Sequence, residues 1–364
     1  MSDIAEVHNS AGGRPTFVGL RKPVADGLIP YSMGNLWSVL SYAVRHFEPT
    51  SACEIGVEKG LLFRLLYDWQ AVARRRIEYT GIDPYVADDV QRDIESNGGV
   101  VIRKRSFEGI AAGPACDLYI LDGDHNYVTV RADLDAIAAR TREEDKWPLI
   151  VAHDVCWPTD RRDAYYMPSF LEEAEVRPYT STQGVRPDSE KLFDRGAIMA
   201  TEGYCWATEY GGESNGVLSA VEDFIAAHDK KWELLIVPGC FGVGLVYAPE
   251  SLNERQRRCL HAIREGVEIL GGLVETLEYN RLQLYCALRE REDELQARQQ
   301  ELKAAQERLA DVDAERKAAQ QRLGHADAWF ESVQRSLTWR LLARFTIGRS
   351  QPPLGGSRQL RNKP

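Results

Sequence analysis

Apolar runs alternate with amphipathic stretches through the first part of the chain. Short apolar runs predict buried strands near residues 51–55, 77–82, 99–103, 117–122 and 148–153. Helical periodicity predicts helices between and before them, near residues 35–47, 59–70, 86–96 and 128–140. Parallel strands that are joined by helices all end on one edge of a sheet, which is where open α/β sheets bind ligands. The pattern therefore predicts an α/β fold with a crevice at that edge.

Four of these runs end in an acidic residue or an acid–glycine turn, and they predict the contents of the crevice. The segments are Ala52–Gly60, Tyr79–Asp83, Leu121–His125 and Val151–Asp154. Their polar ends are expected to lie together although they are distant in sequence. The residues placed around the crevice are Glu54, Asp83, Asp122, His125 and Asp154.

The alternation of strands and helices breaks after Asp154. Residues 157–215 are rich in proline, glycine and aromatic residues and show little periodicity, which predicts a long loop with a role in recognition. A helix over 216–228 follows. Two apolar runs, 232–237 and 241–247, then predict a closing hairpin.

A heptad repeat of leucine marks the third region of the chain. One seam consists of Leu288, Leu295, Leu302, Leu309, Arg316 and Leu323. The companion seam consists of Leu284, Arg291, Arg298, Ala305, Val312 and Ala319. This pattern predicts a continuous helix from about 258 to 333 that forms a coiled coil. Because one such helix cannot bury its own apolar face, we expect a homo-oligomer, and the arginines in the seam leave the number of strands open.

Composition narrows the class of protein. The 364 residues allow roughly two domains, and the net charge of −10 argues against nucleic acid as a partner. The charge is uneven, because residues 332–364 hold seven basic residues and no acidic one. Such a tail, which also carries leucine, tryptophan and phenylalanine, predicts contact with an anionic membrane or a partner protein.

The cysteines and the N-terminal segment predict a cytoplasmic location. The seven cysteines are scattered without a CxxC pair, so we expect reduced thiols and no zinc site. The first fifteen residues lack the basic-then-apolar pattern of a secretory signal. No stretch approaches the roughly 18 apolar residues that a membrane span requires.

The turn after the first strand indicates the kind of cofactor. Glu54-x-Gly56-x-x-x-Gly60 is a tight strand-to-helix turn, and Asp83 ends the second strand, where an acid can bind the hydroxyls of a ribose. A dinucleotide would place its pyrophosphate against this turn, where Glu58 would repel it. S-adenosylmethionine (SAM) combines a ribose with a cationic end and has no phosphate, so it suits the turn better than NAD.

At this point the chain resembles the class I SAM-dependent methyltransferases over roughly residues 35–250. The Glu54–Gly60 turn is similar to the family's first motif, Asp83 to its ribose-binding acid, and Ser106-Phe107 to its adenine contact. The resemblance implies a Rossmann-like, mostly parallel sheet of seven strands with an antiparallel last strand. The run Ile120–Tyr127, with Asp133 downstream and then His153-Asp154, is similar to a subgroup of bacterial enzymes that act mostly on sugars and natural-product glycosides.

The acceptor half of the crevice carries the expected chemistry. A sugar hydroxyl must lose its proton, and either a base or a divalent cation can promote that step. Asp122 and Asp154 offer oxygen ligands for Mg²⁺ or a similar cation, and His125 can take the proton. Where metal-dependent relatives often carry an acid, this chain has His153 as the third candidate ligand. The following segment offers rings and guanidinium groups to bind a glycan, from Trp157, Arg161, Arg162, Tyr165 and Tyr166.

Together these features predict a SAM-dependent O-methyltransferase that acts on a sugar, glycan or glycoside. The domains are an extension (1–34), a methyltransferase domain (35–252), a helical region (253–335) and a basic tail (336–364). Ser336–Leu341 is similar to a tail of surface-polysaccharide enzymes, which favours a surface glycan and the inner face of the membrane. Two alternatives stay open: an NAD-dependent dehydrogenase or epimerase, and a non-catalytic head on a coiled-coil scaffold.

Overall fold

The computed structural model describes residues 31–201, 203–228 and 231–346. The chain divides into two compact units, Met1–Asp293 and Glu294–Pro364. The first unit contains a sheet, the helices on its two faces and the start of a long helix; the second begins with the continuation of that helix.

The α/β alternation of the first unit follows the predicted order, with one additional helix over Ser106–Ala112 that the sequence pattern did not predict. Its strands are β1 (Ser51–Ile55), β2 (Glu78–Ile82), β3 (Val100–Ile102), β4 (Leu118–Leu121) and β5 (Leu149–His153). Its helices are α1 (Trp37–Phe47), α2 (Leu61–Ala73), α3 (Asp88–Ser96), α4 (Ser106–Ala112) and α5 (Tyr127–Glu144). Every residue of β1, β4 and β5 is buried, because helices cover both faces of a parallel sheet.

The region predicted as a loop contains six short strands. They are β6 (Ala164–Tyr165), β7 (Tyr179–Thr180), β8 (Gly184–Arg186), β9 (Ser189–Phe193), β10 (Ile198–Met199) and β11 (Cys205–Ala207). They form two three-stranded sheets, ordered β6-β11-β7 and β10-β8-β9. Strands of two to five residues are too short to leave a readable alternation in the sequence, so the expectation of an irregular loop was wrong here.

The predicted closing hairpin completes the main sheet. After α6 (Val217–Ala227), strands β12 (Glu233–Val237) and β13 (Val243–Tyr247) pair antiparallel. The strand order is β12-β13-β5-β4-β1-β2-β3, in which β13 alone runs against the other strands of the sheet. This confirms the Rossmann-like, seven-stranded sheet with an antiparallel last strand. The chain reverses its direction of winding between β1 and β4, and ligands of such sheets bind at that switch point.

The long helix α7 (Glu254–Arg335) starts and ends close to the predicted positions, and α8 (Leu337–Thr346) follows it. The first part of α7 belongs to the first unit, because Leu260, Leu282 and Cys286 are buried in its core clusters. The heptad leucines beyond Asp293 are exposed in the single chain. None of the described helices is apolar over enough of its length to cross a membrane.

Candidate active site

The turn after β1 lies directly against the end of β4. Gly56 adopts a φ of +86°, and a Cβ at this position would lie 2.1 Å from the backbone oxygen of Asp122. The Gly56 N–H donates to the Ile82 carbonyl at 3.0 Å, and the Asp122 N–H donates to the Ile55 carbonyl at 2.9 Å. Only glycine fits here, and the turn thereby joins the donor and acceptor halves of the predicted crevice at the switch point.

Asp83 holds this turn through its carboxylate. Its Oδ2 accepts from the N–H groups of Val57 and Glu58 at 3.1 and 3.0 Å, and its Oδ1 accepts from Tyr85 N–H at 2.7 Å. Backbone N–H groups at such a turn are the donors that a bound pyrophosphate requires. Two of them are already satisfied by a carboxylate, and the Glu58 side chain is 79% exposed beside them. Lys59 Nζ lies 3.3 Å from Glu58 Oε1, so the exposed side of the turn carries both charges, while two of its N–H groups are no longer free for a phosphate.

Glu54 and Gly60 flank the turn, Glu54 within β1 and Gly60 directly before α2. Glu54 is buried and accepts a hydrogen bond from the Tyr79 hydroxyl. Burial raises the pKa of Glu54 to about 8, and the hydrogen bond opposes that rise. Gly60 begins α2 with a φ of +69°. In this structure Glu54 thus lies beneath the crevice rather than at its surface.

Ser106 and Phe107 stand at the start of α4, both half-buried. Asp133 is a buried residue of α5; burial raises its pKa to about 8, and the Ser106 side chain opposes that rise. Oδ1 of Asp133 lacks a hydrogen-bond partner among the described residues. Phe107 lies under the guanidinium group of Arg105, 5.0 Å from the ring centroid. Ser106 thus turns toward the interior, and its expected contact with adenine stays a prediction.

The acceptor residues form a continuous chain of polar contacts. His125 Nδ1 lies 3.1 Å from Asp154 Oδ2, which lies 3.1 Å from His153 Nδ1. The same His153 nitrogen lies 2.8 Å from Asp122 Oδ1. His153 Nε2 contacts the backbone oxygen of Cys240 at 2.9 Å. The ends of β4 and β5, the segment before α5 and the β12–β13 turn therefore all supply groups to this chain of contacts.

Both ring nitrogens of His153 face oxygen atoms that accept hydrogen bonds, so this ring carries two protons here. Burial disfavours the charged ring, but the carboxylates of Asp154 and Asp122 outweigh it and raise the pKa of His153 well above its usual range. For Asp154, burial acts to raise the pKa, whereas His153 and His125 lower it below the usual value. The buried pair is therefore an imidazolium–carboxylate ion pair.

Asp122, His153 and Asp154 also fit a divalent cation. One ligand atom from each lies within 4.8 Å of the others. The contact between His153 Nε2 and the Cys240 carbonyl fixes the ring so that Nδ1 faces the two carboxylates, as in many metal-binding histidines. A cation held by these three atoms would take the place of the Nδ1 proton. The set of one imidazole and two carboxylates suits several divalent metals.

Aromatic rings from the 157–215 segment cover His125. The Tyr166 and Tyr204 ring centroids lie 5.6 and 6.3 Å from that of His125, and the two tyrosines lie 4.8 Å apart. Tyr166 is 49% exposed, so it faces the open side of the site. Asp124 fixes this wall, because its Oδ1 accepts from the N–H groups of both His125 and Tyr166 at 3.1 and 3.0 Å.

Most of the other residues predicted to bind the acceptor make contacts within the fold. Arg162 is buried and donates to the carbonyls of Ala207 and Glu190, and Tyr165 is buried with its hydroxyl on Asp163. Arg161 forms a two-pronged contact with Glu222 of α6, at 2.6 and 2.9 Å. Trp157 packs on the core of the inserted strands. Tyr166 alone among the five contacts His125 in the described structure.

Sequence reasoning missed three contributors to the site. Tyr204 belongs to the aromatic-rich segment, but no local pattern distinguishes it from its neighbours. Tyr79 lies in the buried stretch of β2 that runs to Ile82 and therefore resembles a core residue. The Cys240 carbonyl is a backbone atom, which no side-chain motif can indicate.

Comparisons with known proteins found similarity only to solved structures. No family model and no curated protein matches the sequence. Among solved structures, an SAH-bound methyltransferase of Podospora anserina is 14% identical over 60% of this chain and 80% of its own, with a TM-score of 0.36. A methyltransferase of Geobacter sulfurreducens is 12% identical, over 68% of this chain and 97% of its own, with a TM-score of 0.33. An O-methyltransferase family protein of Burkholderia thailandensis is 10% identical over 59% of this chain and 55% of its own, with a TM-score of 0.32. The TM-scores are low, so this similarity by itself assigns neither a family nor a reaction.

Proposed function

We propose that this protein is a SAM-dependent O-methyltransferase that methylates a hydroxyl group of a sugar, glycan or glycoside. The observation that carries the proposal is the chain of contacts from His125 through Asp154 and His153 to Asp122, beside the switch point of the sheet. The candidate base and the candidate cation ligands lie there next to the glycine turn, and either a base or a cation can promote methylation of a hydroxyl.

The donor side favours SAM over a dinucleotide. Asp83 Oδ2 already accepts from two turn N–H groups, whereas its Oδ1 accepts from Tyr85 N–H and can still accept from a ribose hydroxyl. The carboxylates of Glu58, Asp83 and Asp122 near the turn favour a cationic ligand and repel a phosphate. When bound, SAM supplies an activated methyl group, so the remaining task of the protein is to prepare the acceptor.

His125 is the proposed general base. Its Nδ1 faces the Asp154 carboxylate, which only accepts hydrogen bonds, so Nδ1 carries a proton and Nε2 keeps a lone pair. Asp154 orients the ring and stabilises the imidazolium that forms when Nε2 takes the proton of the acceptor hydroxyl. Tyr166 and Tyr204 limit the access of water to this proton transfer.

Asp122, His153 and Asp154 are the residues that would hold a divalent cation. Such a cation lowers the pKa of a coordinated hydroxyl and thereby assists the base. Of the three groups, the Asp122 side chain is 24% exposed while His153 and Asp154 are nearly closed off, so the open side of this group is at Asp122.

Two observations support a sugar as the acceptor: the aromatic rings beside His125 and the resemblance in sequence. Tyr166 and Tyr204 present flat rings with polar tips, which match a ligand with C–H faces and hydroxyl edges. The resemblance of the Ile120–Tyr127 run to enzymes that act on sugars and glycosides supports the same class of acceptor.

Thermal-shift measurements with SAM, S-adenosylhomocysteine and NADH test the donor. We expect the first two to raise the melting temperature, because a ligand at 100 times its Kd adds about 2.7 kcal/mol of stability. Stabilisation by NADH alone would contradict the proposal and favour a dehydrogenase.

Transfer of labelled methyl from SAM into a panel of cell-envelope glycans and lipid-linked sugars tests the acceptor. His125→Ala is expected to lower turnover by about 10²–10⁴-fold while SAM binding persists. His261→Ala, an exposed histidine of α7, is the matched control. EDTA followed by Mg²⁺ or Mn²⁺ tests the cation separately. If His125→Ala keeps full activity, the assigned base is wrong.

A further inference from the structure

The exposed heptad face of α7 beyond Asp293 needs a partner. Leu295, Leu302, Leu309 and Leu323 are 56–66% exposed in the single chain, and Val312 is 59% exposed. They recur with helical heptad spacing on one face of a continuous helix. A row of large apolar side chains of this length gains stability only when another helix covers it.

We propose that this seam binds a second copy of the chain in antiparallel orientation, crossing its partner between residues 310 and 311. Two rows make up the seam: Leu295, Leu302, Leu309, Arg316 and Leu323 in one, and Arg298, Ala305, Val312, Ala319 and Ala326 in the other. In an antiparallel pair, each residue of the first row faces a residue of the second row on the partner subunit. The proposal concerns this helical segment alone and is independent of the reaction.

The sizes of the seam residues match in this register. Large residues meet small ones: Leu295 faces Ala326 of the partner subunit, and Leu302 faces Ala319 of the partner subunit. At the centre Leu309 faces Val312 of the partner subunit. Alternation of large and small side chains across facing positions fills such an interface without voids.

The charges of the seam exclude the simple parallel alternative. In a parallel, in-register pair every seam residue meets its own copy, so Arg298 and Arg316 would each bury two like charges against each other. In the antiparallel register Arg316 faces Ala305 of the partner subunit, and Arg298 faces Leu323 of the partner subunit. A staggered parallel pair also separates the arginines, but it lacks two-fold symmetry and leaves open ends.

The flanking charges fix the register. Arg308 lies beside Glu315 of the partner subunit, and Glu301 lies beside Arg322 of the partner subunit; symmetry repeats both pairs. Sliding one copy by a heptad in either direction would set Arg308 or Glu315 against its own copy. The proposed register leaves one like-charged pair, Glu292 with Asp327 of the partner subunit, at the margin of the seam.

Charge exchange in the full-length chain, followed by sedimentation equilibrium, tests the proposal. The wild-type chain is expected to be a dimer. Arg308→Glu and Glu315→Arg should each raise the dimer Kd by about tenfold, since each change turns two attractive pairs into repulsive ones. The double variant Arg308→Glu/Glu315→Arg should return to within about threefold of wild type.

The matched control is Arg308→Glu/Asp313→Arg, because Arg308 would pair with Asp313 of the partner subunit in a parallel coil. We expect this variant to stay weak. Its recovery would show a parallel dimer and overturn the proposal. A monomeric or higher-order wild type, or no recovery in Arg308→Glu/Glu315→Arg while circular dichroism shows full helicity, would overturn it as well.

Discussion

Two buried carboxyl groups of the first unit have raised pKa values. Glu54 and Asp133 both have a pKa of about 8 because burial disfavours their charged forms. Each group therefore binds its proton more tightly in the folded chain than in the unfolded chain. The stabilisation from these groups is fully present below pH of about 4 and is lost as the pH rises through about 8.

Glu54→Gln is expected to flatten this pH dependence. In the wild type, the free energy of unfolding should fall by up to about 1.4 kcal/mol per pH unit for this group between pH 5 and 8. The glutamine amide keeps an acceptor for the Tyr79 hydroxyl but does not titrate. Urea unfolding at pH 5, 6.5 and 8 measures the slope, with the exposed Glu78→Gln on β2 as control. Equal slopes in wild type and Glu54→Gln would refute the assignment.

A comparison of Gly56 with Gly98 distinguishes the effect of backbone conformation from the effect of available space. Both adopt φ near +85°, at +86° and +83°. A Cβ at Gly56 would meet the Asp122 backbone at 2.1 Å, whereas a Cβ at Gly98 meets nothing within 4 Å. The two positions therefore differ mainly in available space.

We expect Gly98→Ala to lose on the order of 1–2 kcal/mol of stability and to bind SAM normally. Gly56→Ala should lose more stability and lose SAM binding, because the turn must move away from β4. Chemical unfolding and thermal shift with SAM measure both. Similar losses in the two variants would show that the contact between β1 and β4 is unimportant.

At the scale of elements, the inserted strands depend on one buried carboxylate. Asp163 Oδ1 accepts from the N–H groups of Tyr127 and Gly216, both at 2.8 Å, and its Oδ2 accepts from the Tyr165 hydroxyl at 2.9 Å. These contacts connect the insertion to the starts of α5 and α6. Because the insertion supplies Tyr166 and Tyr204, Asp163 positions the wall around His125 without contacting it.

Asp163→Ala is expected to destabilise the insertion by about 3 kcal/mol, because it leaves buried donors without an acceptor. Limited proteolysis should then cleave within residues 164–215 well before the main sheet. Asp194→Ala, an exposed residue of the same insertion, is the control. Unchanged cleavage in Asp163→Ala would contradict this role.

At the scale of the whole molecule, the boundary between the two units falls inside α7, between Asp293 and Glu294. The heptad pattern starts within the part of α7 whose buried face packs on the first unit. The helix therefore begins at Glu254, whereas the second unit begins at Glu294. A sequence pattern locates the start of the helix, but only packing locates the start of the unit.

Helix α8 carries exposed basic and apolar residues together. Arg340, Leu341, Leu342 and Arg344 are exposed, and residues 347–364, which add four more basic residues, lie outside the described part of the chain. Basic amphipathic segments bind anionic membrane surfaces, at about 1 kcal/mol per basic residue near the surface. Membrane contact is therefore a prediction for the whole chain.

Reversing two of these charges tests it. Arg340→Glu/Arg344→Glu should reduce cosedimentation with phosphatidylserine-containing vesicles by at least about tenfold, since it removes two attractions and adds two repulsions. Arg257→Glu/Arg258→Glu makes the same charge change on the exposed start of α7 and should have little effect. Equal binding to neutral phosphatidylcholine vesicles would count against the electrostatic mechanism.

The sequence by itself determined the order of the main strands and helices, the glycine turn and the residue types at the strand ends. These features have local causes, since hydrophobic periodicity and turn chemistry act over a few residues. Tertiary structure decided which groups meet. It placed His153 between two carboxylates, turned Arg162 and Tyr165 inward, and brought Tyr204 and the Cys240 carbonyl to the site. Such contacts join residues that are tens of positions apart along the chain, so no local pattern encodes them.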